Sequence, residues 1–190
     1  METPPVLEEF VTACRAVVDD GTDLAQRIAG LVRELIREPT VLAAAVPAFT
    51  EAEVDVTPSG HRLGGEAVLH QEPDLTVMVL DTLPGVIQPA HDHEMNAFIG
   101  VFEGCEEQRF WTRTADGVEA TTGRLLEAGE MVALGQRTIH GISAPLGEPA
   151  RAVHVYLGDI YSVKRSVFDP ETMVEYPMTT ERYDEFCRPA

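Results

Sequence analysis

The spacing of apolar residues changes once along the chain, and this change constrains the fold more than any other feature. Up to about residue 46, apolar residues recur at steps of three and four, which is typical of one face of an α-helix. From about Val54 the period falls to two and the apolar segments become short, as in β-strands. The sequence therefore predicts N-terminal α-helices followed by a mainly β region.

Two helices are predicted in the N-terminal region. Gly21 and Thr22 separate them, Asp23 offers an N-cap for the second, and that helix is expected to end near Pro39. Cys14 lies on the apolar stripe of the first helix, so we expect a buried thiol. The first stripe comprises Val6, Leu7, Phe10, Val11, Cys14, Val17 and Val18, and the second comprises Leu24, Ile28, Leu31, Val32, Leu35 and Ile36.

The β region consists of short segments bounded by turn residues at spacings of about 8 to 12 residues, which is typical of an antiparallel sandwich or small barrel. Asp116 and Gly117 lie between two such segments and indicate a hairpin turn. The predicted strands include 75–80, 96–102, 107–113 and 151–157, and the other turn signals are Pro84-Gly85, Gly129 and Pro145 to Gly147.

A chain of 190 residues suits a single structural domain. We expect a helical segment at 1–50 packed on a barrel at 51–165, followed by a C-terminal tail at 166–190. The tail carries aromatic residues among acidic ones and is expected to wrap the surface.

Charge and composition limit the expected partners. The chain has 14 Lys and Arg against 32 Asp and Glu, a net charge of −18. The electrostatic field of this negative charge repels phosphate backbones and anionic lipids, so neither nucleic acid nor a membrane is expected to bind. No stretch resembles a secretory segment, and the 3 cysteines fit neither a disulfide framework nor a zinc ribbon. We therefore expect a cytoplasmic protein, either a monomer or a homodimer.

Three histidines form the candidate site. His91 and His93 are one residue apart, and alternate residues of a strand share a face, so both can bind one metal ion. A third ligand must come from another strand, and His140 is the obvious donor. An isolated His-x-His pair is more often an ordinary surface pair, so the surrounding sequence has to decide between the two interpretations.

The segment around the first two histidines resembles the first motif of the cupin superfamily, whose members form a double-stranded β-helix, or jelly-roll barrel. Gly85 is followed by five residues and the His-x-His pair, and Gly104 closes the motif at the matching distance. Ala97 stands where the family has a glutamate.

The segment around His140 resembles the second cupin motif. Gly129 and His140 match in spacing, whereas Gly135, Arg137 and Ala144 stand where the family has proline, glycine and asparagine. Together the two motifs imply a cupin barrel and a metal ion bound by the three histidines.

Because Ala97 stands in place of the glutamate, the expected ligands are three neutral imidazoles. They do not offset the charge of a divalent ion, and they leave several of its coordination positions open. Such a site suits iron(II) with a thiolate and dioxygen bound together. Glu94 is a poor substitute ligand, because it follows His93 directly and points to the opposite face. Zinc also accepts three histidines, so the ligands narrow the metal without naming it.

A fourth candidate histidine, His154, follows in the segment 152-AVHVY-156. It resembles the Ser-x-His-x-Tyr segment of cysteine dioxygenase-like and 3-mercaptopropionate dioxygenase-like thiol dioxygenases, cupins with an all-histidine iron site. The similarity extends over roughly residues 62–169 and includes 91-HDHEMNAFIGVFEG-104. It implies that Tyr156 is an acid/base group or hydrogen-bond donor and that His154 positions it. The alternative is that both only pack inside a barrel strand.

The chain departs from these enzymes at several positions. Ala152 replaces the serine that partners the histidine, and no cysteine lies near Glu94 to form a thioether with tyrosine. The arginine that binds the substrate carboxylate has no match, and Glu66 in that region would repel a carboxylate or attract an amine.

Either another cation binds the substrate carboxylate, or the substrate is not a simple thiol carboxylate. Arg165 is the best replacement, because bacterial relatives carry basic residues there, and Arg137 and Arg109 are alternatives.

The resemblance implies a non-haem iron(II) thiol dioxygenase that adds both oxygens of O2 to a small thiol and gives a sulfinic acid. Two alternatives stay open. One is another cupin oxygenase or isomerase that uses iron, nickel or manganese on a non-thiol substrate. The other is a non-catalytic cupin that binds a metal or ligand.

Overall fold

The computed structural model describes residues 3–115, 117–145 and 147–190. The described helices are α1 (Pro5–Asp20), α2 (Leu24–Leu35), α3 (Pro39–Ala45) and α4 (Thr180–Phe186), with a 3-10 turn at Glu51–Glu53. The described strands are β1 (Val54–Val56), β2 (Arg62–Glu72), β3 (Leu75–Thr82), β4 (Val86–Ile87), β5 (His91–Asp92), β6 (Ala97–Glu103), β7 (Cys105–Thr114), β8 (Gly117–Ala120), β9 (Arg124–Glu127), β10 (Met131–Leu134), β11 (Ile139–Ser143), β12 (Ala150–Tyr156), β13 (Ser166–Phe168), β14 (Glu175–Pro177) and β15 (Arg188–Pro189).

The N-terminal helices follow the predicted stripes. Cys14 is fully buried on α1, and burial raises the pKa of its thiol to about 12. Asp23 occupies the predicted N-cap position of α2, in a left-handed conformation (φ 47°), but its side chain makes no capping hydrogen bond within the described residues. Apolar residues of this helix, such as Ile28 and Val32, belong to the core cluster shared with the β region. Among the described helices, none is long and apolar enough to cross a membrane.

The strands form two sheets, and each strand pair among the described residues is antiparallel. The first sheet has the order β1-β2-β3-β12-β6-β10. The second sheet has the order β14-β13-β5-β11-β4-β15. In addition, β7 pairs with β11, β8 and β9. The prediction of a mainly β cupin-type fold with N-terminal helices is confirmed. Asp116, in the predicted hairpin turn, and Leu146, in a second predicted turn, lie outside the described residues.

The central strands of the first sheet, β3, β12 and β6, are buried on both faces. On β12, Val153 and Val155 pack with the helices, whereas Ala152 and Tyr156 belong to the apolar cluster on the opposite face. This arrangement explains why β12 is buried at every position. A helix layer therefore covers one face of β12, and its other face is free to line an internal cavity.

Residues 166–190, which were expected to wrap the surface, contribute to the second sheet. β13 pairs with β5, β15 pairs with β4, and Phe168 is fully buried. The segment is therefore part of the framework around the histidines. The division of the chain near residues 50 and 165 stays a prediction.

Candidate metal centre

The second sheet brings the three predicted ligands together. β11 pairs with β5 so that His140 lies directly opposite His91, and His93 follows β5 at the next inward-facing position. All three are buried. The distance between the Nε2 atoms of His91 and His93 is 3.2 Å, and that between His93 and His140 is 3.3 Å.

These distances fit a metal ion. A divalent ion about 2.0 to 2.1 Å from each imidazole nitrogen places neighbouring ligand nitrogens about 3.0 to 3.4 Å apart. The ligand atoms of His91, His93 and His140 all lie within 4.8 Å of one another, and no other His, Cys, Asp or Glu in the described part of the chain joins the group. Ala97, in the place of the family glutamate, is fully buried on β6 and has no donor atom.

Hydrogen bonds on the far side of two rings leave their inner nitrogens free for a metal. His91 donates from Nδ1 to the carbonyl oxygen of Pro89 at 3.0 Å. His140 donates from Nδ1 to Oε1 of Gln108 at 2.7 Å. In a neutral imidazole, a proton on Nδ1 leaves a lone pair on Nε2, and here both lone pairs face the same point. The free lone pairs of His91 and His140 can accept from a proton on Nε2 of His93 or bind a cation at this point.

Asp92, between the two histidines, anchors their strand from the opposite face. Its carboxylate accepts from the backbone N–H of Ser166 and from Nη2 of Arg113, both at 2.8 Å. Arg113 in turn pairs with Glu175 and lies over the ring of Phe168. No local sequence pattern indicates this network, because its members come from four separate strands.

His154 and Tyr156 lie on the cavity-facing side of β12, across from the ligands. The Tyr156 ring centroid is 5.0 Å from that of His93, and its hydroxyl is 3.0 Å from Nδ1 of His154. Nε2 of His154 is buried and has no partner among the described residues. Ala152, the residue in place of the family serine, offers no hydroxyl there, as its side chain is a methyl group.

Tyr183 is a site residue that the sequence analysis missed. It comes from α4, its ring centroid is 5.6 Å from that of His91, and its hydroxyl donates to Oε1 of Gln88 at 2.5 Å. An aromatic residue near the C-terminus carries no periodic or motif signal that would link it to His91. Only the return of the chain through β13 and β14 places it there.

A cavity of about 710 Å³ opens over the histidines, between the two sheets. Arg165 lines it and is the only Lys or Arg among the described lining residues. Glu66 also lines it and accepts a hydrogen bond from the hydroxyl of Tyr161. Arg109, an alternative in the sequence analysis, instead pairs with Glu107.

Arg137, the other alternative, lines a separate cleft beside Trp111. Of the three candidate arginines, the structure therefore brings only Arg165 to the cavity of the histidines.

Burial keeps the site uncharged. It lowers the pKa of His91 to about 4 and that of His154 to about 3, and it lowers the pKa of His93 and His140 well below the usual value. The positive charge of Arg165 adds to this effect at His91, His93 and His140. Burial also raises the pKa of Tyr156, so its hydroxyl stays protonated at neutral pH. Neutral histidines are the form that binds metal.

No protein-family model matches the chain. The DMSP lyase DddQ from Ruegeria pomeroyi is a similar solved structure, with a TM-score of 0.50 and 16% identity over 84% of this chain and 98% of the lyase. A cupin 2 conserved barrel domain protein from Leptotrichia buccalis has a TM-score of 0.44 and 17% identity, over 60% of this chain and 45% of that protein.

An oxalate decarboxylase from Bacillus subtilis has a TM-score of 0.42 and 16% identity over 53% of this chain. This alignment covers 25% of the decarboxylase. A separate alignment with an oxalate oxidase covers 51% of the oxidase. The protein has the cupin fold, and His91, His93 and His140 form a site that can hold a metal ion.

The buried histidines predict that the metal-free protein loses stability as pH falls. Below pH 6.5 the unfolded histidines bind protons, whereas His91 stays neutral in the folded state down to about pH 4. His91 alone then accounts for a loss of up to about 3 kcal/mol. Glu106 acts in the opposite direction. Its raised pKa of about 7 means that, as pH falls, the folded state binds a proton at this residue before the unfolded state does, which stabilises the folded state. The destabilising effect of the four buried histidines is larger than this gain.

We expect the thermal midpoint, measured by circular dichroism with a chelator present, to fall steadily from pH 6.5 to 4.5. The variant His154→Gln should show a shallower fall, because it removes one of the titrating groups. A midpoint that is constant or rises over this range would contradict the assignment of neutral buried histidines.

Proposed function

We propose that the protein is a non-haem iron(II) thiol dioxygenase that converts a small thiol and O2 to a sulfinic acid. The observation that carries the proposal is the donor set: three neutral imidazoles without a carboxylate, and a phenol in the same cavity. Uncharged ligands leave a divalent ion with its full charge, which favours binding of an anionic thiolate. The sequence resemblance to thiol dioxygenases supports the same assignment.

The reaction needs no external reductant. Both atoms of O2 become bonded to sulfur, which loses four electrons while O2 gains four, and the thiol proton is retained by the sulfinic acid. His91, His93 and His140 would hold the iron(II), which would supply binding of thiolate and dioxygen and electron transfer between them. The protein therefore has to orient the thiol, manage one proton and restrict water.

In this proposal Tyr156 manages the proton. An orphaned N–H is rarer in protein interiors than an orphaned acceptor, so the proton of neutral His154 is placed on Nδ1, which faces the Tyr156 oxygen, and Nε2 keeps its lone pair. The phenol then accepts from His154 and directs its own proton into the cavity. From there it can donate a hydrogen bond to a reacting oxygen or exchange a proton with the arriving thiol.

Arg165 is proposed to bind a carboxylate of the substrate, because a guanidinium pairs with a carboxylate in a bidentate geometry. Asp92 keeps this arginine near the ligands, since it accepts from the backbone N–H of the next residue, Ser166. The Glu66 carboxylate also lines the cavity and accepts a hydrogen bond from the hydroxyl of Tyr161. The proposed substrate is therefore a small thiol that carries a carboxylate.

The decisive experiment measures O2 consumption by iron(II)-loaded protein with 3-mercaptopropionate, cysteine and cysteamine. We expect consumption with at least one thiol, equimolar sulfinate by mass spectrometry, and two labelled oxygen atoms in the product when the gas is ¹⁸O2. Absence of thiol-dependent consumption would refute the proposal. Cleavage of DMSP without O2 consumption would instead favour a lyase, the activity named for the DddQ structure.

The variant Tyr156→Phe should lower kcat by roughly 10- to 100-fold, the effect of a lost hydrogen bond to a charged group. Iron content should not change, because the phenol is not one of the three ligands. Tyr176→Phe is the matched control, since this tyrosine packs on Phe186 outside the cavity, and its kcat should equal that of the wild type. Equal rates for both variants would remove Tyr156 from the mechanism.

The variant Arg165→Gln should raise KM for a thiol carboxylate by about 10- to 100-fold, the effect of a lost charge-assisted pair. Its KM for cysteamine, which has no carboxylate, should stay the same or fall. Arg137→Gln is the control, because this exposed arginine lines the other cleft. If Arg137→Gln has the larger effect on KM, the carboxylate site has been assigned to the wrong arginine.

A further inference from the structure

A carboxylate is buried behind the metal site without a cation to neutralise it. Glu106 lies on β7 and is fully buried. Within the described residues its oxygens accept from Thr82 at 3.0 Å and from Nε2 of Gln108 at 2.6 Å, and no arginine, lysine or histidine pairs with it. Burying a carboxylate in this way costs several kcal/mol unless its hydrogen bonds compensate. A costly group next to a metal site requires an explanation.

Gln108 connects this carboxylate to a metal ligand. It faces the same way as Glu106, because the two alternate on β7, and the register of β7 with β11 places it diagonal to His140. The amide thus lies between Glu106, 2.6 Å from its nitrogen, and Nδ1 of His140, 2.7 Å from its oxygen. It is fully buried.

The chemistry of these groups fixes the direction of each hydrogen bond. At a pH above its raised pKa of about 7, at which the tests of this proposal are made, the Glu106 carboxylate is ionised and can only accept, so the amide NH2 of Gln108 must face it. The amide oxygen then faces His140 and can only accept, so the imidazole proton must be on Nδ1. Nε2 of His140 is left with its lone pair directed at His91 and His93. The charge of Glu106 therefore determines which nitrogen of His140 is available to a metal ion.

We propose that Glu106 and Gln108 are positioning residues that hold His140 in its metal-binding tautomer and strengthen metal binding by this site. Ala97, at the ligand position, provides no negative charge. Glu106 provides one instead, through Gln108, on the side of His140 that faces away from the metal site. Partners of this kind raise the basicity of a metal-bound imidazole and fix the orientation of its ring. The proposal concerns metal binding and holds whatever reaction the site catalyses.

His91 serves as an internal comparison. Its Nδ1–H donates to the backbone carbonyl of Pro89, so its tautomer is set without any side chain. A substitution at Glu106 should therefore alter His140 and leave His91 unchanged. This selectivity separates a positioning role from a general loss of structure.

The test measures metal affinity, without thiol or O2, for the variant Glu106→Gln. A glutamine can present either its oxygen or its NH2 to Gln108, so the Gln108 amide is no longer held in one orientation. Titration of metal-free protein with Zn²⁺ or Co²⁺ against a chelating indicator should give a 10- to 100-fold weaker affinity, the usual effect of losing such a partner. The matched control is Glu107→Gln, on the opposite face of the same strand, where the carboxylate pairs with Arg109. Its affinity should equal that of the wild type.

A double-mutant cycle tests whether Glu106 acts through Gln108. In Gln108→Met the connection is lost, so adding Glu106→Gln should weaken affinity by no more than about twofold. Additive losses in the double variant would show that Glu106 does not act through the amide and would overturn the proposal. An affinity of Glu106→Gln within twofold of the wild type would overturn it as well.

Tautomers are read directly from long-range ¹H–¹⁵N spectra of the imidazoles in metal-free protein. We expect His140 to be protonated on Nδ1 in the wild type and to populate both tautomers in Glu106→Gln, with His91 unchanged. The wild-type spectrum is decisive even if a variant does not fold: His140 protonated on Nε2 would refute the proposal. Failure of the dioxygenase assay would leave these results unaffected.

Discussion

The structure depends on the convergence of three uncharged imidazole nitrogens in a buried pocket. Nitrogens 3.2 and 3.3 Å apart need a cation, or a proton on Nε2 of His93, between them. The surrounding structure must hold the rings in this arrangement when the metal is absent. It does so with fixed partners on the far side of the rings: the carbonyl oxygen of Pro89 behind His91, the amide of Gln108 behind His140, and the anchor of Asp92 between the first two ligands.

The two sheets have different tasks in this arrangement. The second sheet carries the ligands and the side chains that fix them, and cross-strand register sets the geometry, as the pairing of His140 with His91 shows. The first sheet contributes Tyr156 and His154 from β12, a strand whose outer face is covered by the N-terminal helices. The helices thus hold the phenol in place from a distance, because Val153 and Val155 pack into them while their neighbours face the cavity.

Features with a local sequence pattern could be predicted, and features created by long-range register could not. Alternation identified the four strand segments, and three- and four-residue steps identified the helices that bury Leu7, Phe10 and Cys14. The spacing of the two cupin-like motifs pointed to three histidines that do converge. In contrast, Asp23 is the N-cap of α2 as predicted, but its left-handed backbone leaves it without the side-chain hydrogen bond that such a cap usually makes. Gln108 and Tyr183 were missed because each meets the site only through strand pairing distant in sequence.

The separation of the site residues along the chain has a consequence for the order of folding. His93 and His140 are 47 positions apart, and Tyr183 reaches Gln88 across 95 positions. Closing such long loops is slow, and contacts of this kind form after local hairpins and helices. We therefore expect the metal site to be complete only late in folding. A metal ion would stabilise the finished barrel against unfolding but would not accelerate its formation, so scarcity of the ion would shorten the lifetime of the folded protein rather than reduce its rate of production.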